Sequence, residues 1–216
     1  MTGSLIVNNL AGLMMLTSLL VIGAKRPMAS SCLYALQSLV LVLIFFTLAE
    51  TLHARQLMLW SLSALVTKVI LVPLIMARAF RKLADPAADG GLLSPPLLML
   101  AAAIIVVLCW FVVAPVALPL AAPLKPALAV SLGHFLLGLL CIVSQRNILK
   151  QVFGYCLMEN GAHLTLALLA NRAPELVEIG IATDAIFAVI IMALMARKIH
   201  RTLKTLDVSQ LTALKG

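Results

Sequence analysis

Charge is what this chain has least of. Asp, Glu, Lys and Arg together make up 11% of its 216 residues, and only eight of them are acidic. Soluble domains carry about 25% charged and about 45–50% apolar residues. A chain that is 63% hydrophobic, with a mean hydropathy of +1.12, is excluded from that class. The apolar excess runs along the whole length, which also excludes a soluble domain on a single anchor and leaves an integral membrane protein. Paired cysteines are missing too. Cys32, Cys109, Cys141 and Cys156 form no C-x-x-C pair, and all four fall inside apolar runs, where they read as small core residues rather than disulfide partners or metal ligands. No Lys or Arg precedes the first apolar run, and Lys25-Arg26 follows it. This is the reverse of a secretory signal, so the run is expected to persist as a membrane span. The formal charge of +8 shows no clustering on a soluble face, which argues against nucleic acid as a partner.

A transmembrane helix needs about 20 predominantly apolar residues. The expected fold is therefore an all-α polytopic bundle of about seven spans: 4–24, 29–50, 57–79, 96–114, 127–144, 148–170 and 177–196. Gly, Pro and Asp in 84–96, and the prolines of 115–126, are expected to stop helices there. Basic residues set the orientation. Twelve fall on one side (Lys25, Arg26, Arg78, Arg81, Lys82, Arg146, Lys150, Arg197, Lys198, Arg201, Lys204, Lys215) and three on the other (Arg55, Lys125, Arg172). The N-terminus is expected outside and the C-terminus in the cytoplasm. The sixteenth, Lys68, lies mid-span.

Two junctions resemble each other. AKRPM (24–28) and SQRNI (144–148) each place an arginine between spans, and LIMARAFRKL (74–83) resembles ALMARKIHRTL (193–203). Spans one to three and five to seven thus read either as parallel three-helix repeats, a known transporter device, or as spans whose endings coincide by chance. The expected organisation is a three-helix unit at 1–83, then a loop, lipid-facing connector helix and proline-rich turn at 84–126. A second three-helix unit follows at 127–204, and a cytoplasmic tail at 205–216.

Lys68, Glu159, Asp184, His134 and His163 fall within spans. An Asp or Lys at a helix centre costs about 2.5–3.5 kcal/mol on insertion scales. Such residues face the bundle interior, pair with one another or mark an ion path. Cys156, Glu159 and His163 stand at i, i+3 and i+7, one helical stripe, with Asn160 beside it as a polar packing residue able to bond across to another helix. Glu159 and Asp184 read as relay carboxylates and Lys68 as a charge partner or relay base. The same residues could instead only fix helix register, and either histidine could be a packing residue rather than a proton carrier. Sequence alone leaves open which carboxylate meets Lys68. Cys156, Glu159 and His163 on one helix are too few for a metal site, so none is expected. No catalytic residue is expected either.

Residues 130–204 resemble the K-type subunit of respiratory complex I and the C-type subunit of multisubunit cation/proton antiporters. The resemblance rests on Gln145-Arg146-Asn147-Ile148-Leu149, on Gly154 and Met158-x-Asn160, and on ATDAIFAVIIMALMAR (182–197). It implies one membrane acid in each of two helices on a proton path. Asp184 takes the place of one. The other position falls on Cys156, and the acid here is Glu159, one turn away. A K-like unit preceded by four spans is similar to component E-type membrane subunits of group 4 [NiFe] hydrogenase complexes of the formate-hydrogenlyase kind. That likeness implies antiporter-like membrane partners and peripheral hydrogenase subunits in a bacterial inner membrane. Nickel-iron and iron–sulfur centres would sit in those partners, with no cofactor in this chain. It also implies a proton (or sodium) relay coupled to redox chemistry elsewhere. An independent secondary transporter and a purely structural membrane subunit are the competing readings.

Overall fold

The computed structural model describes residues 2–83, 91–116, 122–170 and 175–211. Outside them fall most of the loop expected at 84–96, the centre of the proline-rich turn, Arg172 and Lys215. The described chain is an all-α bundle of long helices: α1 (Thr2–Gly23), α2 (Pro27–Leu52), α3 (Arg55–Ala64), α4 (Val72–Lys82), α5 (Pro95–Val113), α6 (Lys125–Ser144), α7 (Ile148–Leu169) and α8 (Glu175–Leu203). α3 and α4 are one continuous rod joined by a π-helical segment, Leu65–Leu71, so the rods number seven. Five are long and apolar enough to cross a membrane: α1, α2, the α3–α4 rod, α5 and α6. α7 is as long as α1 but is loaded with the polar groups described below. α8 continues beyond the expected end of the last span, because its basic final turns remain helical.

Prolines open helices here rather than break them. Pro27, Pro95 and Pro126 occupy the first turn of α2, α5 and α6, where a missing N–H costs nothing. Pro73 differs, because it lies inside the α3–α4 rod. It cannot donate to the preceding turn, and the turn before it is wide: the Val72 N–H bonds the Thr67 carbonyl, five residues back. One buried stripe along this rod runs through Trp60, Ala64, Lys68, Val72, Met76 and Phe80 at an interval of four, with Leu57, Ser61, Thr67 and Pro73 buried beside it. In an α-helix of 3.6 residues per turn such a stripe drifts by about 40° per step. The wide turn absorbs part of that drift and keeps Lys68 facing inward.

The helices form two facing rows. α1 packs on α2, and α2 on the α3–α4 rod; in the second row α6 packs on α7, and α7 on α8. Across the rows α1 meets α6, α2 meets α7, and the α3–α4 rod meets α8. α5 flanks the α1 and α6 end and presents Leu100, Ile104, Val107, Phe111 and Val112 outward.

The α6–α7 contact is the closest in the bundle. A Cβ on Gly138 would overlap the backbone of Met158, and one on Gly161 would come within 2.5 Å of the Phe135 backbone nitrogen. Small residues of this kind let membrane helices approach backbone to backbone. The α6–α7 turn is held from both sides. Leu92 N–H donates to the Ser144 carbonyl, while Ile148 N–H donates to Leu206 O and Val208 N–H to Arg146 O. Asn147 caps α7 by accepting from the Leu149 N–H at 2.9 Å. The Gln145-Arg146-Asn147 motif is therefore a clamped, capped turn.

Candidate ion-relay site

Four of the five ionisable residues expected within spans, Lys68, Glu159, His163 and Asp184, converge at one place. Lys68, on the π-helical segment, has no solvent exposure. Its ammonium donates to Glu159 Oε1 and, at 2.9 Å, to Asn160 Oδ1, and it lies 2.8 Å from His163 Nδ1. Glu159, Asn160 and His163 occupy one face of α7, as their i, i+1 and i+4 spacing dictates. Three acceptors around one ammonium match its three N–H donors, which is what makes a lysine tolerable at this depth. The carboxylate that meets Lys68 is Glu159.

Asp184 joins from α8. Its Oδ2 lies 3.7 Å from His163 Nε2, and its Oδ1 accepts from the Ala185 N–H at 2.7 Å. His163 thus stands between Lys68 and Asp184. With Nδ1 accepting from Lys68, Nε2 carries the proton and faces the aspartate. Glu159 and His163 are buried, whereas the Asp184 side chain is 44% exposed on the outer surface of α8. The second Glu159 oxygen, Oε2, is buried and has no hydrogen-bond partner among the described residues.

The network continues away from α8. Asn160 Nδ2 donates to Gln37 Oε1 at 2.9 Å, Gln37 Nε2 lies 3.3 Å from His134 Nε2, and His134 Nδ1 lies 3.2 Å from Ser18 Oγ. The Ser18 hydroxyl is 2.7 Å from the Met14 carbonyl, within its own helix. A line of buried polar side chains thus crosses the bundle from Asp184 on α8 to Ser18 on α1. His134 belongs to it, though it lies well away from Lys68 in the chain of contacts. Gln37, Ser38, which accepts a longer 3.4 Å bond from Asn160 Nδ2, and Ser18 carry no charge, so a search for charged groups misses them. The signal in the sequence is Gln37 itself, the one amide of α2, which needs a partner when buried as surely as a charge does.

Cys156, Glu159 and His163 do not come together as a ligand set. The structure assembles a different set, Glu159, His163 and Asp184, whose ligand atoms lie within 4.8 Å of one another. The Lys68 ammonium bonds two of these three residues, so a metal ion would have to displace it. Cys156 is fully buried and stays outside the ring of donors.

Residues 126–216 match the family model described as NADH-ubiquinone/plastoquinone oxidoreductase chain 4L. This region contains Glu159, His163, Asp184 and His134 but not Lys68. Over 216 residues, 100% of both chains, the sequence is 68% identical to hydrogenase-4 component E of Escherichia coli strain K12, and equally to that of Shigella flexneri. An uncharacterized protein of Mycobacterium tuberculosis is 24% identical over 98% of this chain and 97% of its own length. No solved structure matches.

Proposed function

Since the chain belongs to the hydrogenase-4 component E family, we propose that it is a membrane-arm subunit of a hydrogenase complex in which Lys68, Glu159, His163 and Asp184 relay protons. The observation that carries this reading is the unbroken sequence of contacts from Glu159 through the Lys68 ammonium and the His163 imidazole to Asp184. Lys68 gives a proton to His163 Nδ1 while His163 releases its Nε2 proton to the Asp184 carboxylate; Glu159, first protonated at Oε2, turns its carboxyl and passes that proton to the neutral Lys68 amine. Lys68 and Glu159 end in their starting states, and the cycle closes when Asp184 releases its proton and the imidazole returns to its first tautomer. The unpartnered Glu159 Oε2 is the acceptor for the next proton.

Asp184 marks where a partner sits. A half-exposed carboxylate on a membrane helix is costly when it faces lipid and calls for cover by another membrane subunit, the antiporter-like kind in this reading. Redox centres belong to peripheral subunits. The excess of Lys and Arg at the ends of α1, α4, α6 and α8 favours an outside N-terminus and a cytoplasmic C-terminus, in a bacterial inner membrane.

Glu159→Gln combined with Asp184→Asn keeps side-chain volume and hydrogen bonding while removing both proton acceptors. Because Lys68 loses its counter-charge in this variant, at a cost in stability, proton uptake driven by hydrogenase turnover in sealed vesicles is read per assembled complex, and it should fall on the order of 10²-fold. Full uptake in the double variant would eliminate the relay and leave the packing role.

A further inference from the structure

Away from the polar line, two cavities meet where α1 and α6 end and α5 and α7 begin. The first, about 560 Å³, is the more polar of the two, with Lys25, Lys150, Ser144 and Gln145 in its wall. The second, about 590 Å³, is an apolar groove walled by Leu16, Leu19, Leu20, Leu33 and Met99. They share Gly23, Ala24, Pro95 and Leu98, so a single molecule can lie in both.

The polar cavity is built to favour an anion. Lys150 is only 5% exposed, and its ammonium is fixed at the wall by donating to the Ala24 carbonyl at 2.8 Å. Lys25 is exposed at the mouth. Pro95 begins α5 and Lys150 lies in the first turn of α7, so two helix N-termini add their positive ends. No acidic residue lines the cavity among the described residues. One wall atom points to more than a bare anion: Gln145 is 5% exposed, its Nε2 donates to the Ile22 carbonyl at 3.2 Å, and its Oε1 is buried without a partner among the described residues. That oxygen can only accept, so it suits a ligand that also carries a hydroxyl.

The groove decides between a soluble anion and a lipid. Leu16, Leu20 and Met99 are 60%, 54% and 61% exposed on a face that belongs to the hydrocarbon, directly beneath a cationic cavity at the ends of the spans. Basic pockets between transmembrane helices at the cytoplasmic surface suit anionic headgroups. We propose that these joined cavities bind one anionic glycerophospholipid of the phosphatidylglycerol type. Its phosphate lies between Lys25 and Lys150, its headgroup hydroxyl donates to Gln145 Oε1, and an acyl chain lies along Leu16, Leu20 and Met99. This site is separate from the relay and does not depend on it.

Gly23 supplies a clean test. It lines both cavities, and a Cβ added there meets nothing within 4 Å, so Gly23→Leu fills the junction without displacing the protein. The full-length protein in phosphatidylcholine nanodiscs doped with phosphatidylglycerol is analysed by native mass spectrometry for retained lipid. One phosphatidylglycerol should be retained by the parent, about fivefold less by Lys25→Gln, and none by Gly23→Leu, whose thermal unfolding stays at the parental value. The proposal is overturned if phosphatidylcholine is retained equally, if Gly23→Leu still holds the lipid, or if millimolar inorganic phosphate displaces it, which would mark a small-anion site.

Discussion

A lysine ammonium with no exposure has to be neutralised within its own contact shell, and Lys68 finds there one carboxylate, one amide oxygen and one imidazole nitrogen. Breaking a buried pair by removing one partner costs about 3–5 kcal/mol, because the other charge is left uncompensated, whereas removing both is often close to neutral. Lys68→Met should therefore lower thermal stability in detergent sharply, and adding Glu159→Leu should restore most of it. If Lys68→Met is as stable as the parent, or if the second substitution restores nothing, the two side chains are not energetically coupled. The need for such a pair was legible in the sequence, since an isolated charge at mid-span is too costly to stand alone. Its partner was not. A span assigns depth, whereas the azimuth of Lys68 depends on a wide π-helical turn that no residue count reveals. Glu159 and His163 do share the expected stripe, yet Cys156, one turn back on it, meets none of the Lys68 donors.

Helices reach this arrangement through small residues at their contacts. Gly138 and Gly154 interlock, with the Gly138 carbonyl 2.9 Å from where a Cβ on Gly154 would stand, and Gly161 lies against the backbone of Ser131 and Phe135. Gly161→Ala forces α6 and α7 apart immediately beside Asn160, at a cost of about 1–3 kcal/mol for overpacking. Gly12, whose added Cβ meets nothing within 4 Å, is the control. Gly12→Ala should be neutral or should stabilise by about 0.5–1 kcal/mol through helix propensity. Unfolding midpoints of the two variants measure the difference, and equal midpoints would show that the close approach carries no weight. In the sequence Gly154 is legible only through a resemblance, and its mechanical reason is the close approach of α6. Conversely, ADPAADGGLLSPP announced a helix stop, but nothing in it announced that Leu92 would bond Ser144 and so hold the α6–α7 turn.

At the scale of the whole bundle, the two rows let the first unit complete the second. Residues 126–216 match the chain 4L model and bring Glu159, His163, Asp184 and His134; the preceding spans supply Lys68 and Gln37, the two side chains that fasten those groups together. Hydrophobicity made the seven rods legible, and their similar endings hinted at paired units, but the cross-row contacts of α2 with α7 and of the α3–α4 rod with α8 depend on packing that periodicity does not encode. A relay through Lys68 has a definite end. Asn160 and Gln37 are neutral amides, and an amide orients its neighbours well but takes up an excess proton poorly, so a proton path should end at Lys68 rather than run on to His134 and Ser18. Gln37→Leu leaves Asn160 Nδ2 only its longer bond to Ser38 Oγ, at 3.4 Å, removes the nearer partner of His134 Nε2, and should cost about 1–3 kcal/mol in thermal stability. Proton uptake per assembled complex should nevertheless stay within about twofold of the parent, a change of well under 1 kcal/mol in the barrier. A loss as deep as that of the Glu159→Gln, Asp184→Asn double variant would show instead that protons travel along the row-to-row line, and that Ser18 on α1 marks its far end.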